Sequence, residues 1–340
     1  MSKIEIKNLS IELLKEKLIE FGEPLFRAGQ IFNWVFQKNA LSFFEMTNVS
    51  KESREKLDKN FTIGKLDGGE SLSKDGTIKF LLALEDGLKI ESVLIPTEER
   101  LTLCISSQVG CPLGCLFCLT GKIGFKRNLK VWEIVEQVLH AKRFLKYEKR
   151  ISNIVLMGMG EPLLNYENVV QAVKILRSKD GLALSRKKIT ISTAGITPMI
   201  KNLSKDCEVK FALSLNAPNN EIRNFLMPIN KKYPIEGLIS ALKDIPMKPR
   251  EKNTVEYVMI AGTNDREADA VALAKLLKSL QVKVNLIPFN EDPALKFKKP
   301  QMKTIRMFRD ILKENGITAT IRESKGLDIK GACGQLSIIS

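Results

Sequence analysis

Histidine is almost absent: the 340 residues contain one, His140. The commonest general base and imidazole metal ligand is therefore missing from most of the chain, which leaves thiols and carboxylates to move protons or hold a metal. His140 itself reads as a surface or packed residue of a helix. The opening MSKIEIKNLS lacks the apolar core of an export signal, and no internal repeat or low-complexity segment is visible. Cysteine is sparse, 6 in all, with three clustered and none in a paired framework, which fits a reducing cytosol better than a secreted disulfide scaffold. Residues 101 to 121 carry no charge, a length that in principle suits a membrane span. Ser106, Ser107, Gln108, Gly110, Pro112 and Gly114 argue against a helix there, so the stretch reads as a dry wall around a site. The expectation is a cytoplasmic protein with no membrane partner.

What is present is concentrated in that uncharged stretch. GCPLGCLFC, residues 110 to 118, sets Cys111, Cys115 and Cys118 at spacings of four and three on a loop broken by Gly and Pro. Three thiolates can converge there. Zinc is the plain alternative, but a structural zinc site closes with four ligands, usually as two close pairs, and this loop offers three. Iron–sulfur clusters take thiolate ligands, and a cubane held by three of them leaves one iron open to bind something else. Cys207 falls between a helix and a strand with no motif, where buried packing is the expected role.

Charge and periodicity set the frame around this loop. The net charge of +15 is uneven: residues 1–64 have 10 basic and 9 acidic side chains, residues 65–100 have 5 and 8, and residues 101–340 have 39 and 22. A basic surface can serve solubility alone. A surplus confined to the thiol-bearing part better suits a polyanion such as RNA. Residues 10–60 read as helices, with Ile11, Leu14, Leu18 and Phe21, then Ile31, Trp34, Val35 and Phe36, at helical spacing. Lys51, Arg54 and Lys56 suit either phosphate contact or a solvated helix face. KFLLALEDGLKIESVLIP, with its Glu85-Asp86-Gly87 turn, predicts a hairpin. After residue 100, strand-like segments at 101–106, 152–157, 188–193, 209–215, 254–260 and 283–288 alternate with helical patterns. These patterns predict an α/β protein: a helical accessory domain (1–62), a β-hairpin linker (63–100), a partial (βα)6 barrel (101–325) and a C-terminal segment (326–340) carrying Cys333. Such barrels place their chemistry at the C-terminal ends of the strands, and the Cys loop follows the first strand. GMGEP, residues 158–162, reads as a strand-to-helix turn; Leu163 replaces the third Gly of a dinucleotide fingerprint.

The triplet, with Phe117 before its last Cys, is similar to the signature of the radical S-adenosylmethionine (SAM) enzymes. More narrowly, TLCISSQVGCPLGCLFC (102–118) and TGKIGFKRNL (120–129) resemble the RlmN/Cfr group of RNA adenosine methyltransferases. FRAGQIFNWVF (26–36) and FEMTNVSKESREKL (44–57) resemble that group's small N-terminal domain, which helps to grip RNA. The resemblance runs from about residue 10 to Leu336. It implies a radical SAM barrel, a [4Fe-4S] cluster on Cys111, Cys115 and Cys118, and SAM chelating the open iron. By the same matching, Gly160 and Glu161 meet the methionyl amino group, and Ser192, Ser214, Leu215, Asn216 and Asn290 are further SAM contacts. Neutral hydroxyls and amides suit a ribose and an adenine edge.

Cys333, in GACGQL, and Cys104, seven residues before the triplet, match the group's catalytic pair. The C2 carbon of adenine lies between two ring nitrogens and is electron-poor, so it cannot attack the methyl of SAM as a thiolate does. The resemblance implies that Cys333 takes a methyl from one SAM, that a deoxyadenosyl radical from a second SAM activates the S-methyl group for addition to the base, and that Cys104 resolves the crosslink. A disulfide between the two remains, to be opened by a reductant. Glu91, in the IESV run, matches the acceptor of the proton leaving the target carbon; read alone, it is a turn-flanking surface Glu. The implied substrates are 23S rRNA and tRNA, with an electron donor and a disulfide reductant as further partners. The implied reaction is methylation at adenine C2, with Cfr-type C8 methylation of 23S rRNA as the alternative, since that type shares both cysteines. A third class, an RNA-binding protein with a structural metal loop, has no use for that pair.

Overall fold

Serine starts the N-terminal helices. In the computed structural model, which describes residues 3–146, 149–248 and 251–338, Ser10 caps α1 (Ile11–Glu20) by accepting from Leu13 N, and Ser50 caps α3 (Lys51–Asn60) by accepting from Ser53 N. The outermost residues of the expected terminal segments, 1–2 and 339–340, lie outside the described residues. Between these helices runs α2 (Arg27–Phe32), which passes into a π-helical turn at Asn33–Gln37. A short parallel pair, β1 (Ile4–Glu5) with β2 (Phe61–Thr62), closes the unit. Leu14, Leu18, Ile31, Val35 and Phe36 are buried, as their spacing predicts. Lys56 pairs with Glu52 at 3.0 Å, Lys51 reaches Glu55 at 4.0 Å, and Arg54 donates to the Phe44 carbonyl, so this face reads as a solvated one.

The hairpin is continuous with the barrel. β3 (Asp67–Leu72), β4 (Ile78–Ala83) and β5 (Lys89–Pro96) pair antiparallel, and β5 pairs antiparallel with β6 (Leu101–Cys104). A ribbon of β7 (Gln108–Gly110) and β8 (Phe125–Asn128), with α4 (Leu119–Ile123) between them, frames the Cys loop. Strand and helix then alternate: α5 (Val131–Phe144), β9 (Asn153–Leu156), α6 (Tyr166–Arg177), β10 (Ile189–Thr193), α7 (Thr197–Asp206), β11 (Lys210–Ser214), α8 (Asn220–Leu226), α9 (Ile235–Lys243), β12 (Asn253–Met259), α10 (Glu267–Leu277), β13 (Val282–Pro288), α11 (Met302–Glu314) and β14 (Thr318–Ile321). β6 and β9 to β14 are parallel and lie in sequential order, as helical crossovers require. Six βα units are present, as expected, and β14 adds a seventh parallel strand that the sequence pattern had not marked. Tyr257 on β12 stacks against Phe308 of α11 with centroids 5.3 Å apart, one of the contacts that seat the helices on the sheet.

His140 is packed. Its Nδ1 lies 3.1 Å from the Leu66 carbonyl, its ring meets Phe80 edge-on, and burial lowers its pKa so that the neutral form is favoured. Among the described residues, no helix is long and apolar enough to cross a membrane.

One buried ionic group ties the N-terminal unit to α5. Lys7 Nζ is 2.5 Å from both Glu136 Oε2 and the Gly64 carbonyl, Arg143 also reaches Glu136, and Lys7 and Glu136 are fully buried. Removing one partner of such a group strands the other charges in a dry site. Lys7→Met is therefore expected to cost about 3 kcal/mol in denaturant unfolding; an unchanged midpoint would show that the network carries no stability.

Candidate active site

The Cys loop is placed from below by a buried amide. Gln137 of α5 donates to the Ser106 carbonyl and accepts from Ser106 N, and the Ser106 hydroxyl donates to the Glu91 carbonyl at 2.6 Å. The chain then enters β7 and turns at Gly110, whose φ of +74° and 1.7 Å approach of a would-be Cβ to the Gly124 carbonyl leave no room for a side chain. Beyond it, Cys111 N donates to Gly124 O, Leu116 N to Leu226 O and Leu119 N to Gly334 O. Leu113, Leu119, Leu226, Met227 and Phe289 pack around the loop, the dry wall that the uncharged stretch predicts.

Cys111, Cys115 and Cys118 line one cavity together with Gly160, Glu161, Ser192, Ser214, Asn216, Asn290 and Cys333. This brings together most of the residues picked out from sequence. No three His, Cys, Asp or Glu side chains among the described residues converge tightly enough to hold a single metal ion. Three thiols spread around one cavity suit a multi-iron cluster, with one ligand per iron, better than the closed tetrahedron of a structural zinc. Burial pushes the Cys111 thiol up to about 12 and raises Cys115 and Cys118, so cation binding here must displace protons.

The strand ends supply the polar ring. Gly160 has a φ of +101°, and a Cβ there would meet Gln108 at 2.6 Å, so only glycine lets the GMGEP turn pack this closely on β7. Glu161 is buried; its oxygens accept from Leu163 N (3.1 Å) and Ala194 N (2.8 Å), and its remaining lone pairs are available to a ligand ammonium. Desolvation raises its pKa. Ser192 and Ser214 face each other at 3.4 Å across β10 and β11. Asn216, held in the left-handed region at φ +59°, accepts from Val258 N, and Asn290 donates to the Cys333 carbonyl at 3.0 Å. Leu215 is fully buried and absent from the cavity lining.

Cys333 arrives from the chain end and Cys104 from the end of β6. Cys104 is buried, its thiol pushed up to about 12 by desolvation first and then by the neighbouring Cys333. Both cysteines are free thiols. Arg322, just past β14, is within electrostatic reach of both: Cys333 foremost, then Glu256 and Cys104, raises its pKa against burial. Glu91 does not line the cavity. It is buried rather than at a surface turn, paired with Lys79 at 2.8 Å and covered by the chain end, with Ser337 N and Ile338 N on its Oε2.

The sequence reading missed four charged residues. Arg322 and Glu256 line the cavity, Lys79 holds Glu91, and Arg223, fully buried on α8, donates to the carbonyls of Ala194, Ser214 and Leu215. Nothing in their local sequence separates them from ordinary surface charges.

Residues 105–274 match the model of the radical SAM superfamily, and residues 4–63 match that of the ribosomal RNA large subunit methyltransferase N-terminal domain. The chain is 47% identical to a dual-specificity RNA methyltransferase RlmN from Geotalea uraniireducens, over 99% of this chain and 97% of that protein. It is 48% identical to a protein of the same name from Desulfosudis oleivorans, over 98% and 90%. The crystal structure of a radical SAM methyltransferase from Sphaerobacter thermophilus aligns with a TM-score of 0.94 at 41% identity, covering 99% of this chain and all of that one. With a three-thiol loop at the mouth of a parallel partial barrel and full-length identity at this level, the chain belongs to the RlmN family of radical SAM RNA methyltransferases.

Proposed function

We propose that the protein methylates C2 of adenosine in 23S rRNA and in tRNA, in the cytoplasm, with Cys333 as methyl carrier and Cys104 as resolving thiol. The observation that supports this most is the presence of Cys333 on the same cavity as the three loop thiols, with Cys104 within its electrostatic reach. The name of the full-length relatives favours C2 over the C8 alternative.

Cys111, Cys115 and Cys118 would hold the [4Fe-4S] cluster, and Gly160, Glu161, Ser192, Ser214, Asn216 and Asn290 would hold SAM, with Leu215, whose backbone N–H and carbonyl bond Glu256 and Arg223, packed behind them. When bound, cluster and SAM supply one-electron cleavage of the sulfonium, and with it a hydrogen-abstracting radical. The chain's own part is orientation, dryness and proton handling. Arg322 offers positive charge to whichever thiol must act as thiolate, as a sulfur nucleophile in an apolar site needs. Cys333 carries the one-carbon unit to the base, Glu91 takes the proton from the target carbon, and Cys104 attacks to free the product. The Cys104–Cys333 disulfide then requires an external reductant, and the cluster an electron donor. The helical unit of residues 1–62 and the basic surplus of the barrel would grip the RNA.

Cys115→Ala, prepared anaerobically, is expected to lose the visible iron–sulfur absorbance and SAM cleavage while still unfolding cooperatively; retained iron and cleavage would remove the loop from the reading. Cys104→Ala is expected to accumulate a covalent protein–RNA adduct on denaturing gels, because addition proceeds and resolution does not. RNA-free protein with normal turnover would sink the two-thiol mechanism. Cys333→Ala should abolish methylation with SAM cleavage still possible, and retained methylation would reassign the carrier.

A further inference from the structure

The strand register explains how Glu91 reaches the active end of the barrel. Val93 on β5 is directly opposite Cys104 on β6, so Glu91, two residues earlier, lies on the same sheet face one step beyond the C-terminal end of β6. Its cross-strand partner on β4 is Leu81, which puts Lys79 on the same face, diagonally across. A buried row results, with Lys79, Val93 and Cys104 directly opposite one another across β4, β5 and β6 and Glu91 alongside on the same face.

Within that row the Glu91 carboxylate has its donors divided. Oε1 faces Lys79 Nζ at 2.8 Å, with the two side chains 2% and 10% exposed. Oε2 accepts from Ser337 N at 2.8 Å and Ile338 N at 3.2 Å, four and five residues beyond Cys333. One oxygen is thus held by a charge built into the sheet, and the other by the segment that carries the methyl-bearing thiol. A buried ion pair is a poor way to stabilise a fold, since desolvation offsets most of its attraction. Two strands packed by apolar residues would hold this part of the sheet as well.

We infer that Lys79 is a positioning residue for proton transfer at the target carbon: it holds Glu91 by Oε1 as its fixed counter-charge, which leaves Oε2, bonded in this structure to the amides of Ser337 and Ile338, as the oxygen that takes the proton once substrate displaces those amides. This rests on Glu91 being the proton acceptor. In the step itself the proton leaves the adenine carbon for Oε2 and the C–H electron pair stays with the ring system of the adduct. The ammonium of Lys79 neither gains nor loses a proton. It offsets the charge of the carboxylate in a dry site and fixes its rotamer against two competing partners.

The test compares Lys79→Met, Lys79→Arg and Glu91→Gln in anaerobic assays on full-length protein with 23S rRNA, reading SAM cleavage, Cys333 methylation, covalent adduct and released product separately. Lys79→Gln is run alongside in case the methionine variant does not fold. Lys79→Met is expected to release product about 10- to 100-fold more slowly, with adduct accumulating as in Glu91→Gln and a larger isotope effect on C2-deuterated adenosine, while SAM cleavage and Cys333 methylation stay near wild type. Lys79→Arg is expected to restore release. Normal release by Lys79→Met beside a stalled Glu91→Gln overturns the inference alone. A uniform slowing of every step by Lys79→Met makes the lysine structural and overturns it too. Normal turnover by Glu91→Gln removes Glu91 as proton acceptor and the role of Lys79 with it.

Discussion

The site depends on the docking of residues 326–338 across the mouth of the barrel. Cys333 lies more than two hundred residues from the Cys loop, and a short set of contacts brings it there. Leu119 N donates to the Gly334 carbonyl, Thr120 Oγ1 to the Leu336 carbonyl, Asn290 to the Cys333 carbonyl, and Ser337 N to Glu91. Earlier in the segment, Asp328 accepts from Ser73 and Lys74 N, and Asp75 accepts from Gly326 N, so the turn between β3 and β4 anchors it. The antiparallel hairpin is therefore part of the candidate site's architecture. It holds the strap at one end and, through Lys79 and Glu91, meets it again at the other.

Around the docked segment the protein builds a dry compartment with few charges, each answered by a neighbour. Arg322 is within electrostatic reach of two thiols and Glu256, Glu161 is tied to its own turn and to the end of β10 by backbone amides, and Arg223 braces three strand-end carbonyls. In such a medium, charges act over longer distances than in water. Burial first, and neighbouring thiols after it, drive Cys104 and Cys111 up to about 12, so in the proposed mechanism reactivity comes from local cations, Arg322 for Cys104 and Cys333 and the bound metal for the loop thiols. This agrees with the scarcity of histidine: proton handling falls to thiols and carboxylates whose behaviour is set by burial and neighbours.

Much of this was legible in the sequence where a local pattern has one physical meaning. The three cysteines on a Gly-Pro loop, the β-turn at residues 85–87 and the six strands of the βα alternation all lie where their spacing puts them. β14 was not, because TATI is short and only half apolar, and only its pairing with β13 makes it a strand. The burial of Glu91 was not legible, because it follows from the diagonal partner Lys79 and the distant segment at Ser337, which no local pattern encodes. Arg322, Glu256 and Arg223 were missed for the same reason. A charged side chain reads as solvated until the fold closes around it.

The most direct test of the account is the identity of the product. Reconstituted protein is incubated anaerobically with SAM, a reductant and 23S rRNA, and the digested nucleosides are compared by mass spectrometry with 2-methyladenosine and 8-methyladenosine standards. The expected product is 2-methyladenosine. Formation of 8-methyladenosine, or of neither by a preparation that cleaves SAM, would contradict it.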